Sequence, residues 1–244
     1  MTDKEYILQQ IGIIKKRMQE ACTKAGRNAA EVRLLLATKT VEPDRIRIAI
    51  EGGETLVGEN KVQEFVQKAD ALSDLQYERH FIGHLQTNKV KDILKYVHCI
   101  QSVDRMELVE KLDQRLQFEG KSINIFVQVN TSFEESKFGL DPAAALNFVK
   151  QAARYDTLKI KGFMTIGLFA DDIEKSRPGF QLLRTIRDKA ISEGLIPSTS
   201  TQLSMGMSND LETAIEEGAT IVRVGTAIFG QRVYSDRHYW NEKQ

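Results

Sequence analysis

Leu34-Leu35-Leu36-Ala37-Thr38-Lys39 is the stretch at which the chain changes period. Upstream of it, Ile7, Ile11, Ile14, Met18 and Ala21 recur at spacings of four and three, with lysines and glutamates on the other face. That is the stripe of an amphipathic helix, punctuated at its end by Gly26 and Asn28. The run from Leu34 is instead short and continuously apolar, as a strand buried on both faces is. Downstream the alternation repeats. Strand character returns at residues 55–57, 80–82, 97–100, 123–129, 160–166, 200–203 and 221–224, with helical patterns between most of them. Asp104-Arg105-Met106-Glu107 reads as a capping box, with Asp104 at the N-cap, and Val109, Leu112 and Leu116 continue the helix's buried stripe. Asp141-Pro142 reads as a further helix start.

Eight strand runs separated by helices imply parallel strands joined by crossovers. Eight such units close into a barrel, whereas six would form an open doubly wound sheet. The expected fold class is therefore α/β, a single (β/α)8 TIM-type barrel. Its domain covers residues 1–232, including an additional N-terminal helix over 4–26, and a polar tail follows over 233–244.

Composition narrows the function classes. Hydrophobic residues make up 41% and charged residues 28%, and 34 basic side chains balance 34 acidic ones. Such balance gives no electrostatic reason to expect nucleic acid or an anionic membrane as partner. Cys22 and Cys99 form no metal-ligand spacing and read as two reduced thiols, so no metal is expected. The acidic start, Met1-Thr2-Asp3-Lys4-Glu5, lacks an apolar signal core, and no apolar stretch approaches the ~20 residues of a bilayer span. A cytoplasmic protein is the expectation.

Barrel chemistry sits where strands end and loops begin. Lys39 stands directly after the first run. There it is either a solvated strand-end lysine or a desolvated amine nucleophile, whose natural targets are aldehydes. Asn60 follows the second run and either caps the next helix or hydrogen-bonds a cofactor hydroxyl. His80 begins the third run and reads as structural, while His84 lies past its end and is a weak candidate. The late signal is stronger. Ser204-Met205-Gly206-Met207-Ser208 follows the seventh run and opens a helix, with Gly206 permitting close backbone approach and Ser208 as N-cap. Gly225-Thr226 follows the eighth run. Two glycine-plus-hydroxyl turns after strands seven and eight match the recurrent phosphate seat of barrels. Asp210 adds an opposing charge nearby. Arg223, inside the eighth run, needs an acceptor, either a carboxylate or a ligand's heterocyclic nitrogen. A lysine amine, a phosphate seat and a buried arginine together suit pyridoxal 5'-phosphate (PLP). A phosphosugar aldolase would use only the first two.

The chain also resembles a known family. The resemblance rests on Leu35-Leu36-Ala37-Thr38-Lys39-Thr40, Gly58-Glu59-Asn60, Gln63-Glu64, His80-Phe81-Ile82-Gly83, Leu85-Gln86 with Asn88-Lys89, Ser102-Val103-Asp104, Glu134-Glu135-Ser136-Lys137, Gly162-Phe163-Met164-Thr165, the Ser204-to-Ser208 run and the segment from Arg223 to Gly230. In this order they are similar to the pyridoxal phosphate homeostasis proteins, single-domain relatives of the N-terminal barrel of bacterial alanine racemase. The resemblance implies that Lys39 carries PLP as a Schiff base, that Ser208, Gly225 and Thr226 hold its phosphate, that Arg223 faces the pyridine nitrogen and that Asn60 lies near the phenolic oxygen. Ser204 and Gly206 complete the expected cofactor-binding set. Phe138 departs from the family, which usually has a small residue after the lysine of the Glu-Ser-Lys motif. A monomer is implied as well.

Three functions follow in rank. The first is PLP buffering or delivery, with apo PLP-dependent enzymes as recipients and no catalytic residue of its own. The second is a weak amino-acid racemase or transaminase. The third is a Schiff-base aldolase. An arginine at the ring nitrogen weakens the ring as an electron sink, which favours the first. Alanine racemase also draws a tyrosine base from a second, β-rich domain, and only twelve residues follow Arg232 in this sequence.

Overall fold

The computed structural model describes residues 1–168 and 173–230. Eight parallel strands close a barrel in chain order: β1 (Arg33–Ala37), β2 (Leu56–Glu59), β3 (Glu78–Phe81), β4 (Cys99–Val103), β5 (Ile123–Gln128), β6 (Leu158–Met164), β7 (Gln202–Ser204) and β8 (Ile221–Val224). The helices are α1 (Asp3–Lys24), α2 (Pro43–Glu51), α3 (Val62–Ala69), α4 (Val90–Ile93), α5 (Met106–Glu119), α6 (Ala145–Ala152), α7 (Arg177–Ser192), α8 (Leu211–Glu216) and α9 (Thr226–Phe229). The expected barrel with an extra N-terminal helix is what the chain forms. β1 closes on β8 with Leu34 beside Val222 and Leu36 beside Val224.

Period-two alternation splits the core into two layers. Leu34, Leu36, Val57, Phe81, Ile100, Phe163 and Val222 belong to the layer shared with the helices. Leu35, Leu56, Cys99, Phe126, Met164 and Ile221 form a separate cluster inside the barrel. Full burial of one such large side chain is worth about 1.5–3 kcal/mol.

Thr2 and Glu5 close a capping box at the start of α1, whose apolar stripe is buried at Ile7, Ile11, Ile14, Met18 and Ala21. The helix packs on α2, α8 and α9. Arg45 of α2 clamps this layer, donating to both carboxylate oxygens of Asp3 at 2.8 Å and to the Phe229 carbonyl at 2.7 Å.

Some boundaries differ from expectation. Asp104 is not the N-cap of α5. Its carboxylate accepts from the Arg105 guanidinium at 2.8 Å, and Arg105 occupies the cap position. β7 begins at Gln202, because the Ser200 amide is turned onto the Pro197 carbonyl and its hydroxyl onto that of Ile160. At the Asp141-Pro142 start, Asp141 does accept from the Ala143 amide at 2.8 Å. The tail expected over 233–244 lies outside the described residues. Among the described residues, no helix is long and apolar enough to cross a membrane, and no cluster of three metal-ligating side chains occurs. Cys22 and Cys99 are buried free thiols.

Candidate functional site

The residues singled out by position come from one arc of the barrel mouth. Lys39 follows β1, Asn60 follows β2, Ser204 and Ser208 belong to the end of β7 and its loop, and Arg223, Gly225 and Thr226 to the end of β8. In the closed sheet β7, β8, β1 and β2 are consecutive neighbours.

The loop bearing Lys39 is fastened on both sides. Before it, buried Thr38 donates its hydroxyl to Glu59 Oε1 at 2.5 Å. After it, Thr40 holds a left-handed φ of 64°, a costly conformation for a β-branched residue. The Thr40 amide donates to Glu64 Oε2 at 2.7 Å. Lys68 of α3 gathers the group, donating to the Thr38 carbonyl at 2.9 Å, Glu59 Oε1 at 2.7 Å and Glu64 Oε2 at 2.8 Å. Burial pushes the Glu59 carboxyl up to about 7, against the opposing pull of Lys68.

Gly225 lets the end of β8 cross that of β1, since a Cβ there would stand 2.7 Å from the Ala37 carbonyl oxygen. Gly206, at φ 89°, turns the chain out of β7 with no room for a side chain against Ala214. The close approach at Gly225 brings the end of β8 against the strand end that Lys39 follows.

Asn60 does not cap α3, whose cap position is Lys61. Its amide oxygen is buried without a hydrogen-bond partner. Ser208 likewise is not the cap of α8, because Asp210 takes that place and its carboxylate accepts from the Met207 amide at 2.7 Å. The Ser208 and Asn209 amides have no acceptor among the described residues. Arg17 of α1 anchors this turn, donating to the Ser208 carbonyl at 2.9 Å and to Glu212 at 2.6 Å. Thr226 is exposed at the first position of α9.

Arg223 is buried, yet its hydrogen bonds go to neutral oxygens: Ser204 Oγ at 2.8 Å and the Thr165 carbonyl at 2.7 Å. Burial lowers its pKa to about 10, with Asp210 pulling the other way, so it remains a cation at neutral pH. The Ser204 hydroxyl is wholly engaged with Arg223 and Gln101.

His80 is buried inside the barrel and satisfied on both ring nitrogens. His84 is exposed and stacks on Phe138, with ring centroids 3.9 Å apart. Lys137 donates to the Gly167 carbonyl at 2.6 Å and pairs with Glu134. Position in the chain did not reveal Arg17, Lys68, Thr165 or Gln101, whose partners lie on other elements.

The sequence profile of the alanine racemase N-terminal domain matches residues 15–233. A pyridoxal phosphate homeostasis protein of Aquifex aeolicus is 41% identical over 226 residues, which is 93% of this chain and 98% of that one. The chain belongs to the pyridoxal phosphate homeostasis protein family. Solved structures agree. PipY of Synechococcus elongatus, determined with PLP bound, is 30% identical, with a TM-score of 0.80 over 92% of this chain and 100% of that one. A protein of unknown function from Bifidobacterium adolescentis is 39% identical, with a TM-score of 0.88 over 93% of this chain and 96% of that one. The barrel of this chain is that of the alanine racemase N-terminal domain.

Proposed function

We propose that the chain binds PLP through Lys39 and buffers or delivers it, as a monomeric cytoplasmic carrier without appreciable turnover. The observation that carries this reading is the convergence of Lys39, Asn60, Ser208, Arg223 and Thr226 on four adjacent strand ends. The names of the relatives and the PLP held by PipY support it.

The residues present fit the group. A buried amide oxygen without a partner, at Asn60, calls for a hydrogen-bonding ligand. Arg223 only donates, so it suits a neutral ring nitrogen as acceptor. The Ser208 and Thr226 hydroxyls, with the two uncommitted turn amides, suit a phosphate. Lys39 would supply the amine, on a loop that Lys68 and Glu64 hold still. When bound, PLP supplies an aldehyde for a lysine amine and a ring that accepts electrons. Arg223 keeps that ring a weak acceptor by disfavouring a proton on its nitrogen. Holding is thereby favoured over turnover.

The test is transfer set against turnover. Protein loaded with PLP should show visible absorbance and should activate an apo PLP-dependent enzyme mixed with it. Racemisation and transamination of added amino acids should stay near the rates of free PLP. Turnover of any common amino acid at about 1 s⁻¹ or faster, ordinary for enzymes, would overturn the carrier reading.

A further inference from the structure

A buried polar chain crosses the barrel interior, starting from β3. The Arg33 guanidinium donates to Glu78 Oε2 at 2.6 Å, and Glu78 Oε1 lies 2.7 Å from His80 Nε2. His80 Nδ1 is 2.6 Å from Gln101 Nε2. Gln101 Oε1 accepts from the Ser204 hydroxyl at 2.6 Å, and Ser204 Oγ accepts from Arg223 at 2.8 Å. A second Arg223 N–H donates to the Thr165 carbonyl at 2.7 Å. His80, Gln101, Ser204, Thr165 and Arg223 are all buried, so a broken link is not repaired by bulk water.

The direction of every link is fixed from the two ends, by Arg223, which only donates, and by the Glu78 carboxylate, which only accepts. A guanidinium has no acceptor, so Ser204 Oγ accepts from Arg223 and spends its one proton on Gln101. Gln101 therefore presents its amino group to His80. Nδ1 of His80 must accept, which leaves the imidazole proton on Nε2, aimed at the Glu78 carboxylate. That carboxylate is held down to about 2, chiefly by its bond with His80, and only accepts. A single proton arrangement satisfies the five residues from Arg223 to Glu78.

We propose that Ser204, Gln101 and His80 are positioning residues for Arg223: they hold its guanidinium in one orientation and make that orientation depend on the tautomer and protonation of His80. The part of this inference that concerns PLP rests on the reading that Arg223 faces the ring nitrogen. A proton on Nδ1 would set two donors face to face. Gln101 would have to turn its amide over, Ser204 would lose its acceptor, and the hold on Arg223 would change. The charged and titratable groups around His80 are Glu78 on its own strand, Arg33 of β1, His98 ahead of β4, and Lys161 of β6 beside Cys99. Phe126 of β5 meets the ring edge-on. Burial keeps the imidazole neutral, with Glu78 opposing.

Long-range proton–nitrogen NMR of histidine-labelled protein without PLP reads the relay directly. The native protein should show His80 as the Nε2–H tautomer alone, persisting below the usual histidine value because burial disfavours the charged ring. Ser204→Ala touches neither His80 nor Glu78, yet by freeing the Gln101 amide it should loosen the bond to Nδ1 and shift that nitrogen's resonance, while Glu78 keeps the proton on Nε2. Ser204→Thr should restore the native pattern. An unchanged His80 in Ser204→Ala would mean that the links are independent and would overturn the relay. Gln101→Leu provides a second interruption, should the first variant fold poorly. With PLP added, both variants should weaken binding about fivefold or more. They should also move the pH midpoint of the bound cofactor's visible absorbance. If the Nδ1 resonance shifts while affinity and midpoint do not, the positioning claim is overturned. A native protein that takes up no PLP overturns the site reading instead, and the Nδ1 resonance still decides the relay.

Discussion

Ser208 and Thr226 are the side chains on which the phosphate seat stands or falls at the scale of single residues. Charge-assisted hydrogen bonds are worth about 1.5–3 kcal/mol each. Ser208→Ala combined with Thr226→Ala should therefore weaken PLP by at least about a hundredfold more than it weakens unphosphorylated pyridoxal, as titration calorimetry would read. Equal losses for the two ligands would place the phosphate elsewhere. Lys39, Asn60 and Arg223 were legible in the sequence because each lies at or beside the end of an apolar run. The engagement of Ser204 was not, since Gln101 stands 103 positions away. The cap at Ser208 was misplaced because α8 begins only at Leu211, with Asp210 in the cap position and its carboxylate turned back onto the Met207 amide.

At the scale of elements, α3 acts as the brace for the loop after β1. Lys68 reaches across to the Thr38 carbonyl, and Glu64 takes the Thr40 amide, so the residues on either side of Lys39 are tied to one helix. The brace carries a pH signature. Burial raises the folded-state pKa of Glu59 to about 7, whereas an unfolded glutamate titrates at about 4.3. Between those values the folded chain keeps a proton that the unfolded chain has released. Native stability should therefore fall relative to Glu59→Gln as pH rises through that window, and the gap should level off above it. A tenfold change in one group's proton affinity is worth about 1.4 kcal/mol, so a gap on the order of 1–3 kcal/mol is expected from urea unfolding across about pH 4 to 8. A gap independent of pH would mean that Glu59 is ionised in the folded state throughout. The elements themselves were readable, because period two and period 3.6 separate cleanly in this chain. The couplings between them were not. Arg17 meets Glu212 across 195 positions, and nothing in either local pattern announces the other.

For the whole molecule, closure is what makes a site out of scattered strand ends. β8 pairs with β1, so the turn near residue 226 adjoins the strand end that Lys39 follows, and the turn near 206 lies one strand further on, although most of the chain separates them. The N-terminal helix serves the same seam, since α1 packs on α8 and α9 and its Arg17 holds the Ser208 turn. A carrier needs a firm seat for the phosphate and a ring environment that discourages chemistry. On the proposed reading, the loops after β7 and β8 would supply the first and Arg223, inside the barrel, the second. The most direct measurement is to reduce the PLP-loaded protein with borohydride, digest it, and find by mass spectrometry which lysine retains the cofactor. The account predicts the added mass on the peptide containing Lys39, and its loss in Lys39→Ala. Added mass confined to the Lys89 or Lys137 peptide would contradict it.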